Sequence, residues 1–325
     1  MARVNKAVIT AAGIGTRHYP ATATIQKEMF PLVDRDGTTK PTIQIIVEEA
    51  VESGIEEVCI VASEENVDQF RRHFRGLSEE WAPVFRGKAW ALEEAEKLAG
   101  LSERICYVLQ ESPEGYGHAV YCARDFVGQD PFLLLLGDHV YISATKKSCS
   151  RQVIDVFSEY GGAVSGVQRT HEDLLHLFGT VAGRRIGINP DVYELSAIQE
   201  KPTQEYAEEH LRTSGLPRSQ YLCFFGLHAL PPSIFDAIAY HIKNDIRERG
   251  EIQLTNAQEM LRGQERYVAV EVNGQRYDMG VPFGYIQTQL ALALNSPARR
   301  NVLAALPHLL TVRDLDLLQP GLTDV

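Results

Sequence analysis

Short apolar runs alternate with segments of helical periodicity along the first half of the chain. Residues 6–10 form a β-branched run that ends in a loop of small residues, and residues 58–62 form a second apolar run. Between the two runs, apolar side chains recur at intervals of three and four positions, at Ile43, Ile46, Val47, Ala50 and Val51. This spacing predicts an amphipathic helix. A strand, a helix and a strand in this order form a βαβ unit, which builds a parallel sheet.

The alternation continues as far as about residue 177. Helices are predicted over residues 64–75, 89–98 and 118–124 and around 153–160, and strands over 106–109, 132–136 and 163–168. The strands are apolar throughout, which is typical of a sheet covered on both faces. The pattern therefore predicts an α/β fold with a doubly wound, mostly parallel, Rossmann-like sheet.

The pattern changes at about Phe178. Short strands separated by turns follow, together with a long helix that carries isoleucine at every fourth position, at Ile234, Ile238, Ile242 and Ile246. We therefore expect an α/β core over residues 1–177, a smaller β-rich subdomain over 178–297 that shares the same cleft, and a C-terminal tail over 298–325.

The first predicted strand ends in a glycine-containing loop with cations nearby. The loop reads Ala11-Ala12-Gly13-Ile14-Gly15-Thr16-Arg17, and Lys27 follows ten residues later. Small residues let backbone N–H groups approach an anion, and two cations at the carboxyl end of a strand suit a polyphosphate. Taken alone, a bare Gly-x-Gly favours a plain tight turn, and it is the neighbouring cations that favour an anion site. The dinucleotide fingerprint would need glycine where His18 stands, and the chain has no Walker motif.

Composition narrows the classes of partner. The 325 residues carry 43 acidic and 32 basic side chains, for a net charge of −11. An acidic chain is a poor ligand for nucleic acid and for anionic membrane surfaces, so we expect neither as a partner. No apolar stretch approaches the roughly 20 residues of a membrane span. The five cysteines form no CxxC pair, so we expect no disulfide framework and a reducing, cytoplasmic location.

Further motifs, in a fixed order, make the chain resemble a known superfamily. After the loop and Lys27-Glu28-Met29-Phe30-Pro31-Leu32 come Gln110, Gly115-Tyr116-Gly117-His118-Ala119-Val120, Gly137-Asp138, Phe178-Gly179, Glu200-Lys201-Pro202, Gly250-Glu251-Ile252-Gln253-Leu254-Thr255 and Asp278-Met279-Gly280. Together these motifs resemble the sugar-phosphate nucleotidylyltransferases. Within that superfamily they are most similar to the bacterial UTP–glucose-1-phosphate uridylyltransferases, over roughly residues 5 to 295.

The resemblance implies an activity and a nucleotide site. The reaction would transfer a uridylyl group from UTP to α-D-glucose 1-phosphate and release pyrophosphate, with Mg²⁺ as cofactor. The implied nucleotide-binding residues are Ala11, Ala12, Gly13, Gly15, Thr16, Gln110 and Gly115. The amide of Gln110 carries donors and an acceptor, which suits the mixed edge of uracil. Without the resemblance, an exposed polar residue at a strand end would be the favoured interpretation of Gln110.

The resemblance also implies roles for charged residues. Arg17 and Lys27 would hold the departing pyrophosphate, and Lys201 would grip the sugar 1-phosphate. Gly179 and Glu200 would hold sugar hydroxyls; without the resemblance, Lys201 would be read as a solvated surface charge.

Two aspartates complete the implied site. Asp138 and Asp278 would hold Mg²⁺, which typically binds one or two protein carboxylates together with phosphate oxygens and water. Asp138 follows a predicted strand, at the edge where open α/β sheets bind ligands. A helix-capping role for Asp138 is the plainer alternative.

The chain also departs from the superfamily pattern. Residues 35–39 are extra, Asn256 replaces the usual Asp, and Phe178 stands where Tyr is common. These differences leave open a thymidylyltransferase or another sugar-1-phosphate nucleotidylyltransferase. A non-catalytic, sugar-nucleotide-binding regulatory paralogue is the alternative from another class, although the retained charged residues argue against it. We also expect a homo-oligomer, either a dimer or a tetramer.

Overall fold

A computed structural model describes residues 3–188 and 191–311 of the chain. Its strands are β1 (Lys6–Ala11), β2 (Pro31–Val33), β3 (Thr39–Pro41), β4 (Glu57–Ala62), β5 (Ile105–Leu109), β6 (Phe132–Leu136), β7 (His139–Ser143), β8 (Ala163–His171), β9 (Thr180–Gly187), β10 (Val192–Gln199), β11 (Gln220–Leu230), β12 (Tyr267–Glu271) and β13 (Gly274–Asp278). Its α-helices are α1 (Thr42–Glu52), α2 (Val67–Phe74), α3 (Ala89–Ser102), α4 (Tyr116–Cys122), α5 (Arg124–Val127), α6 (Cys149–Tyr160), α7 (Gln204–His210), α8 (Ile234–Lys243), α9 (Leu254–Arg262), α10 (Pro282–Leu294) and α11 (Arg299–Thr311).

Nine of these strands form one central sheet, in the order β5-β4-β1-β6-β11-β8-β12-β10-β9. The pairs β4–β5, β1–β4, β1–β6 and β8–β12 are parallel. Strands β10 and β11 are antiparallel to all their neighbours, so the other strands of the sheet all run in one direction. The predicted α/β fold with a mostly parallel sheet is confirmed.

The β-rich second part of the chain extends this sheet. Strand β11 lies at the centre, between β6 and β8, while β9, β10 and β12 complete one side. Strands β7 and β13 form a separate two-stranded ribbon, and β2 and β3 form a hairpin. The ribbon joins the two parts because β7 follows β6 directly and β13 comes from the second part. The division at residues 177 and 297 stays a prediction.

Both faces of the sheet are buried, as the apolar strands predict. Ile9 and Leu135 pack on one face in a core that includes residues of α1, α2 and α6. Their chain neighbours Val8 and Leu134 point to the opposite face, into a core that includes residues of α4, α8 and α9. Side chains alternate along a strand, so helices on both sides require apolar residues at every strand position.

The helix predicted over the isoleucine repeat ends one turn early. Helix α8 stops at Lys243, and Ile246 lies outside it. The Asn244 side chain donates a hydrogen bond to the carbonyl of Tyr240, and Asp245 adopts a φ of 49°. A left-handed residue ends a helix, whatever apolar spacing follows.

Two further segments bear on the predictions. Residues 35–39, extra relative to the superfamily pattern, contribute the turn between β2 and β3. Helix α11 forms the first part of the tail, and residues 312–325 lie outside the described residues. Among the helices of the described ranges, none has both the length and the hydropathy needed to cross a bilayer.

Candidate active site

The loop after β1 is held in place from behind by two polar side chains. The buried amide of Gln26 donates hydrogen bonds to the carbonyls of Ala11, at 3.2 Å, and Gly13, at 2.8 Å. The Thr22 hydroxyl donates to the carbonyl of Gly15 at 3.0 Å. Gly15 has a φ of 71°, which strongly favours glycine.

The rest of the predicted loop lies beside Lys27. Ala12 is buried, whereas Gly13 and Thr16 are exposed. A Cβ atom on Gly13 would lie 3.6 Å from Lys27 Nζ, and one on Gly15 would lie 3.3 Å from its Cδ. The small residues therefore let the lysine side chain lie directly on the loop.

The ammonium group of Lys27 is paired with two carboxylates. Its Nζ lies 2.5 Å from Asp138 Oδ2 and 3.6 Å from Glu28 Oε1. Burial alone would lower the pKa of Lys27, but the interaction with Asp138, and to a smaller extent that with Glu28, outweighs it and holds that pKa above its ordinary value. Lys27 thus remains a cation inside the site.

Asp138 and Asp278 come together as predicted, and His139 joins them. Each of the three offers a ligand atom, and these atoms lie within 4.8 Å of one another. The ribbon creates this arrangement, because Asp278 pairs with His139 in the β7–β13 register. His139 Nδ1 lies 2.9 Å from Asp138 Oδ1. Burial alone would raise the pKa of Asp138, but Lys27 and His139 hold it well below its ordinary value.

Gly280 marks the point where these charged groups converge. A Cβ atom on Gly280 would lie 2.8 Å from Asp138 Oδ2, 2.9 Å from Asp278 Oδ1 and 3.0 Å from Arg17 Nη2. Arg17 therefore reaches the same point as the two carboxylates. The two carboxylates lie beside a position where glycine leaves out a side chain. Such a pair suits Mg²⁺, a hard cation that prefers oxygen ligands.

Gln110 and Gly115 lie together at another part of the cleft. Gln110 is only 8% exposed, so the alternative of an exposed strand-end residue is wrong. Its Nε2 donates to the carbonyl of Gly115 at 3.2 Å and lies 3.1 Å from His118 Nδ1. Gly115 has a φ of 116°, and a Cβ there would lie 2.7 Å from Glu251 Cβ.

Gly179, Glu200 and Lys201 form a third group. Lys201 Nζ lies 3.3 Å from Glu200 Oε1, and the Thr255 hydroxyl donates to Glu200 Oε2 at 2.6 Å. A Cβ on Gly179 would lie 3.3 Å from Glu200 Oε2 and 2.7 Å from the Phe224 ring. Glycine at position 179 therefore permits the close approach of the Phe224 ring and places its backbone beside the Glu200 carboxylate.

Two further buried polar groups, to which the sequence analysis gave no role, lie in the quoted motifs. The hydroxyl of Tyr116 and Oε2 of Glu28 have no hydrogen-bond partner within the described residues. Burial, together with the charges of Asp138 and Glu200, raises the pKa of Tyr116 above its ordinary value. Burial raises the pKa of Glu28 to about 8, although Lys27 opposes that shift. The sequence did offer a signal for these residues, because Glu28 and Tyr116 lie within the quoted motifs. His139 likewise follows directly after Asp138.

A separate open cavity of about 1070 Å³ lies at the far end of the ribbon, beside Ser143 and Gly274. Two of its three cations, Lys147 and Arg169, are paired with acidic side chains, at 2.6 Å to Asp155 and 2.8 Å to Glu271. None of the predicted site residues lines this cavity. The cluster of unlike charges at the carboxyl ends of β1 and β6 is therefore the better candidate for chemistry.

Comparisons with known proteins agree with this geometry. The nucleotidyl transferase family model matches residues 6–294. The chain is 37% identical over 314 residues to UTP–glucose-1-phosphate uridylyltransferase of Bacillus subtilis (strain 168), covering 93% of this chain and 96% of that protein. A protein of the same name from Staphylococcus epidermidis (strain ATCC 12228 / FDA PCI 1200) is 36% identical over 302 residues, covering 91% of this chain and 95% of that one.

Solved structures with the same fold include two with a nucleotide bound. A UDP-glucose pyrophosphorylase complexed with UDP-glucose has a TM-score of 0.71 and 29% identity, over 89% of this chain and 98% of that one. A UTP-bound UGPase from Acinetobacter baumannii has a TM-score of 0.76 and 26% identity, over 95% of this chain and 100% of that one. The resemblance seen in the motifs is confirmed, and the chain belongs to the nucleotidyl transferase family.

Proposed function

We propose that this enzyme transfers a uridylyl group from UTP to α-D-glucose 1-phosphate, giving UDP-glucose and pyrophosphate. Relatives that share 36–37% of its residues over more than nine-tenths of the chain carry the corresponding name. The observation in the chain itself that carries the proposal is the convergence of Arg17, Asp138 and Asp278 on Gly280, with Lys27 bound to Asp138. Cations and a carboxylate pair beside a small-residue loop suit a polyphosphate substrate.

The proposed reaction needs no enzyme nucleophile. An oxygen of the sugar phosphate attacks the α-phosphorus of UTP in line, and pyrophosphate leaves. Such transfers depend on positioning and on electrostatic stabilisation of developing charge. Arg17 and Lys27 hold the leaving pyrophosphate, while Lys201 orients the attacking phosphate.

Asp138 and Asp278 would hold Mg²⁺, with His139 fixing the orientation of Asp138. The ion would supply Lewis-acid stabilisation of charge on the α-phosphate and the leaving group. An ionised carboxylate can accept about four hydrogen bonds or metal contacts. The contacts of Asp138 with Lys27 and His139 therefore leave capacity for an ion.

The remaining predicted residues bind the uracil base of UTP and the hydroxyl groups of the sugar. With its Nε2 donating to Gly115, Gln110 presents Oε1 to the uracil N3–H, and the backbone at Gly115 lies beside the base. Glu200, held by Thr255, accepts hydrogen bonds from sugar hydroxyls beside Gly179. We further propose that the enzyme acts in the cytoplasm as a dimer or tetramer.

The function is tested by a pyrophosphate-release matrix of UTP, dTTP and CTP against several sugar 1-phosphates with Mg²⁺. We expect UTP with glucose 1-phosphate to be the best pair. Cytosine reverses the donor and acceptor pattern of uracil, and a mispaired buried amide costs roughly 1–3 kcal/mol. Thymine differs from uracil only by a methyl group, so some use of dTTP is expected.

The same matrix, measured on variants, tests whether Gln110 recognises the base. Gln110→Ala should reduce the preference for UTP over CTP, whereas Gln264→Ala, an exposed glutamine on the loop after α9, should leave it unchanged. A tenfold or greater preference for dTTP would instead support a thymidylyltransferase. No turnover with any pair would support the regulatory paralogue.

The two lysines should affect different substrates. Lys201→Ala should chiefly raise the KM for sugar 1-phosphate, and Lys27→Ala should chiefly raise the KM for UTP. Each variant loses a charge-assisted phosphate contact, which should raise the KM for the affected substrate about 10- to 100-fold. Steady-state kinetics with each substrate varied, supported by direct titration, measure the effect.

Lys243→Ala is a control at an exposed position near the end of α8 and should change neither constant. If Lys27→Ala and Lys201→Ala each raised the KM for both substrates equally, the proposed assignment of one lysine to each substrate would be contradicted.

A further inference from the structure

Arg276 lies on the same strand as the predicted metal ligand Asp278. The two residues are two positions apart on β13, so their side chains lie on the same face of the β7–β13 ribbon. Tyr141 pairs with Arg276 across the ribbon, just as His139 pairs with Asp278. The guanidinium group is therefore the next side chain along this face from the carboxylate pair.

Two contacts of the guanidinium group are made with residues next to the predicted sugar-binding group of Gly179, Glu200 and Lys201, which we call the sugar half of the cleft. Its carbon lies 4.0 Å from the centroid of the Phe178 ring, well inside the range of a cation–π interaction. Its Nη1 donates a hydrogen bond to the carbonyl of Phe224. Arg276 thus links the strand that carries Asp278 to Phe178 and Phe224 in the sugar half of the cleft.

Those two residues hold the backbone of the predicted sugar site. The carbonyl of Phe178 accepts a hydrogen bond from the backbone N–H of Lys201 at 3.2 Å. The N–H of Phe224 donates to the carbonyl of Gly179 at 2.8 Å. Lys201 has a φ of 39°, which is an unfavourable conformation for a lysine and must be maintained by its surroundings.

The charge of Arg276 is not neutralised by an ion pair. Within the described residues, no carboxylate forms a salt bridge with it, and Asp278 acts on it only at longer range. Arg276 is half-buried, and arginine remains charged at neutral pH. A guanidinium group without a counter-ion can pair with a nearby substrate phosphate.

We propose that Arg276 is a positioning residue for the sugar 1-phosphate. By holding Phe178 and Phe224, it fixes Lys201 and Gly179 at a set distance from Asp278, and its charge favours an anion in this half of the cleft. The inference rests on the proposed function, because it concerns the acceptor substrate of that reaction.

The test compares Arg276→Met and Arg276→Lys with the wild-type enzyme. Calorimetric titrations measure the affinities for UTP, which occupies only the nucleotide half, and for UDP-glucose, which occupies both. Arg276→Met should weaken UDP-glucose binding about tenfold and raise the KM for sugar 1-phosphate similarly, with UTP affinity changed less than about twofold. Arg276→Lys, which keeps the charge but not the planar group, should give an intermediate loss.

Arg266→Met is a matched control. Arg266 also lies over an aromatic ring, that of Tyr160 at 5.3 Å, and also donates to a backbone carbonyl, but it lies near the start of β12, away from the cleft. It should change neither affinity. Phe178→Leu removes the ring that Arg276 covers and should reproduce the selective loss, so the proposal remains testable if Arg276→Met fails to fold.

Two results would overturn the inference. Equal loss of UTP and UDP-glucose affinity would show a general structural role, and no selective loss in either Arg276 variant would show no role in the sugar half. Wild-type turnover is measured in the same preparations. Its absence overturns the proposed function and the inference together, whereas normal wild-type turnover without a selective loss overturns the inference alone.

Discussion

Replacing Asp138 with asparagine is expected to lower kcat at least about 10²-fold, a loss comparable to that of one preorganised electrostatic element. The substitution keeps the shape of the side chain but removes an anionic metal ligand. It also removes the charge that faces Lys27 Nζ at 2.5 Å. Steady-state kinetics over a Mg²⁺ titration measure the loss, and circular dichroism should show a preserved fold.

Asp125→Asn supplies the control for this experiment. Asp125 has a side chain that is 90% exposed and, among the residues that the structure describes, forms an ion pair only with the neighbouring Arg124. Its replacement should leave kcat and the Mg²⁺ dependence unchanged. If Asp138→Asn kept most of its activity at saturating Mg²⁺, Asp138 would have no place in the site.

Replacing Lys40 with methionine should reduce the free energy of unfolding by about 3–5 kcal/mol, because removing one partner of a buried ion pair leaves the other charge uncompensated. Lys40 is only 2% exposed, and its Nζ lies within 2.9 Å of carboxylate oxygens of Asp34, Asp36 and Glu48. Urea denaturation at pH 7 measures the change.

The pH dependence of stability gives a second measurement. Burial would raise the pKa of Glu48, but hydrogen bonds from Lys97, Gln44 and Lys40 hold it below its ordinary value. A depressed carboxylate pKa contributes stability that is present at neutral pH and is lost as the pH falls below about 5. The wild-type chain should therefore lose more stability on acidification than Lys40→Met does.

Lys97→Met is the matched control because Lys97 contacts the same carboxylate from the surface. Its Nζ lies 2.9 Å from Glu48 Oε1, but its side chain is 40% exposed. Exposed pairs contribute about 0–1 kcal/mol, so this variant should lose far less stability. Equal losses in the two variants would mean that burial of Lys40 does not determine its contribution.

Local patterning predicted most of the elements because their apolar spacing matches the faces that they bury. Residues 132–136 were predicted as a strand, and β6 has these bounds. Ile43, Ile46 and Val47 are likewise buried in α1, but all residues from Thr42 to Ala50 are buried, so the polar face that the spacing predicted is covered as well. Spacing does not report where a strand lies in the sheet, so the insertion of β11 between β6 and β8 was not predicted.

The motifs predicted which residues could form a site, but pairwise contacts depend on the fold. Asp138 and Asp278 are 140 positions apart and meet only through the pairing of β7 with β13. For the same reason, the bond between Lys27 and Asp138 and the contact of Arg276 with Phe178 had no local signal. Residues 35–39 were noted as extra, but their sequence gave no indication that the neighbouring Lys40 is buried.

The backbone of the loop that follows Gln110 is bonded to the segment that leads to Thr255. The N–H of Ile252 donates to the carbonyl of Glu114, and the N–H of Gly117 donates to the carbonyl of Ile252, both at 2.8 Å. A change in the loop that admits a different base will therefore displace the start of α9 and, with it, the hydroxyl that holds Glu200. Efforts to redesign base preference in this enzyme should expect sugar preference to change at the same time, and variants selected for one trait should be screened for both.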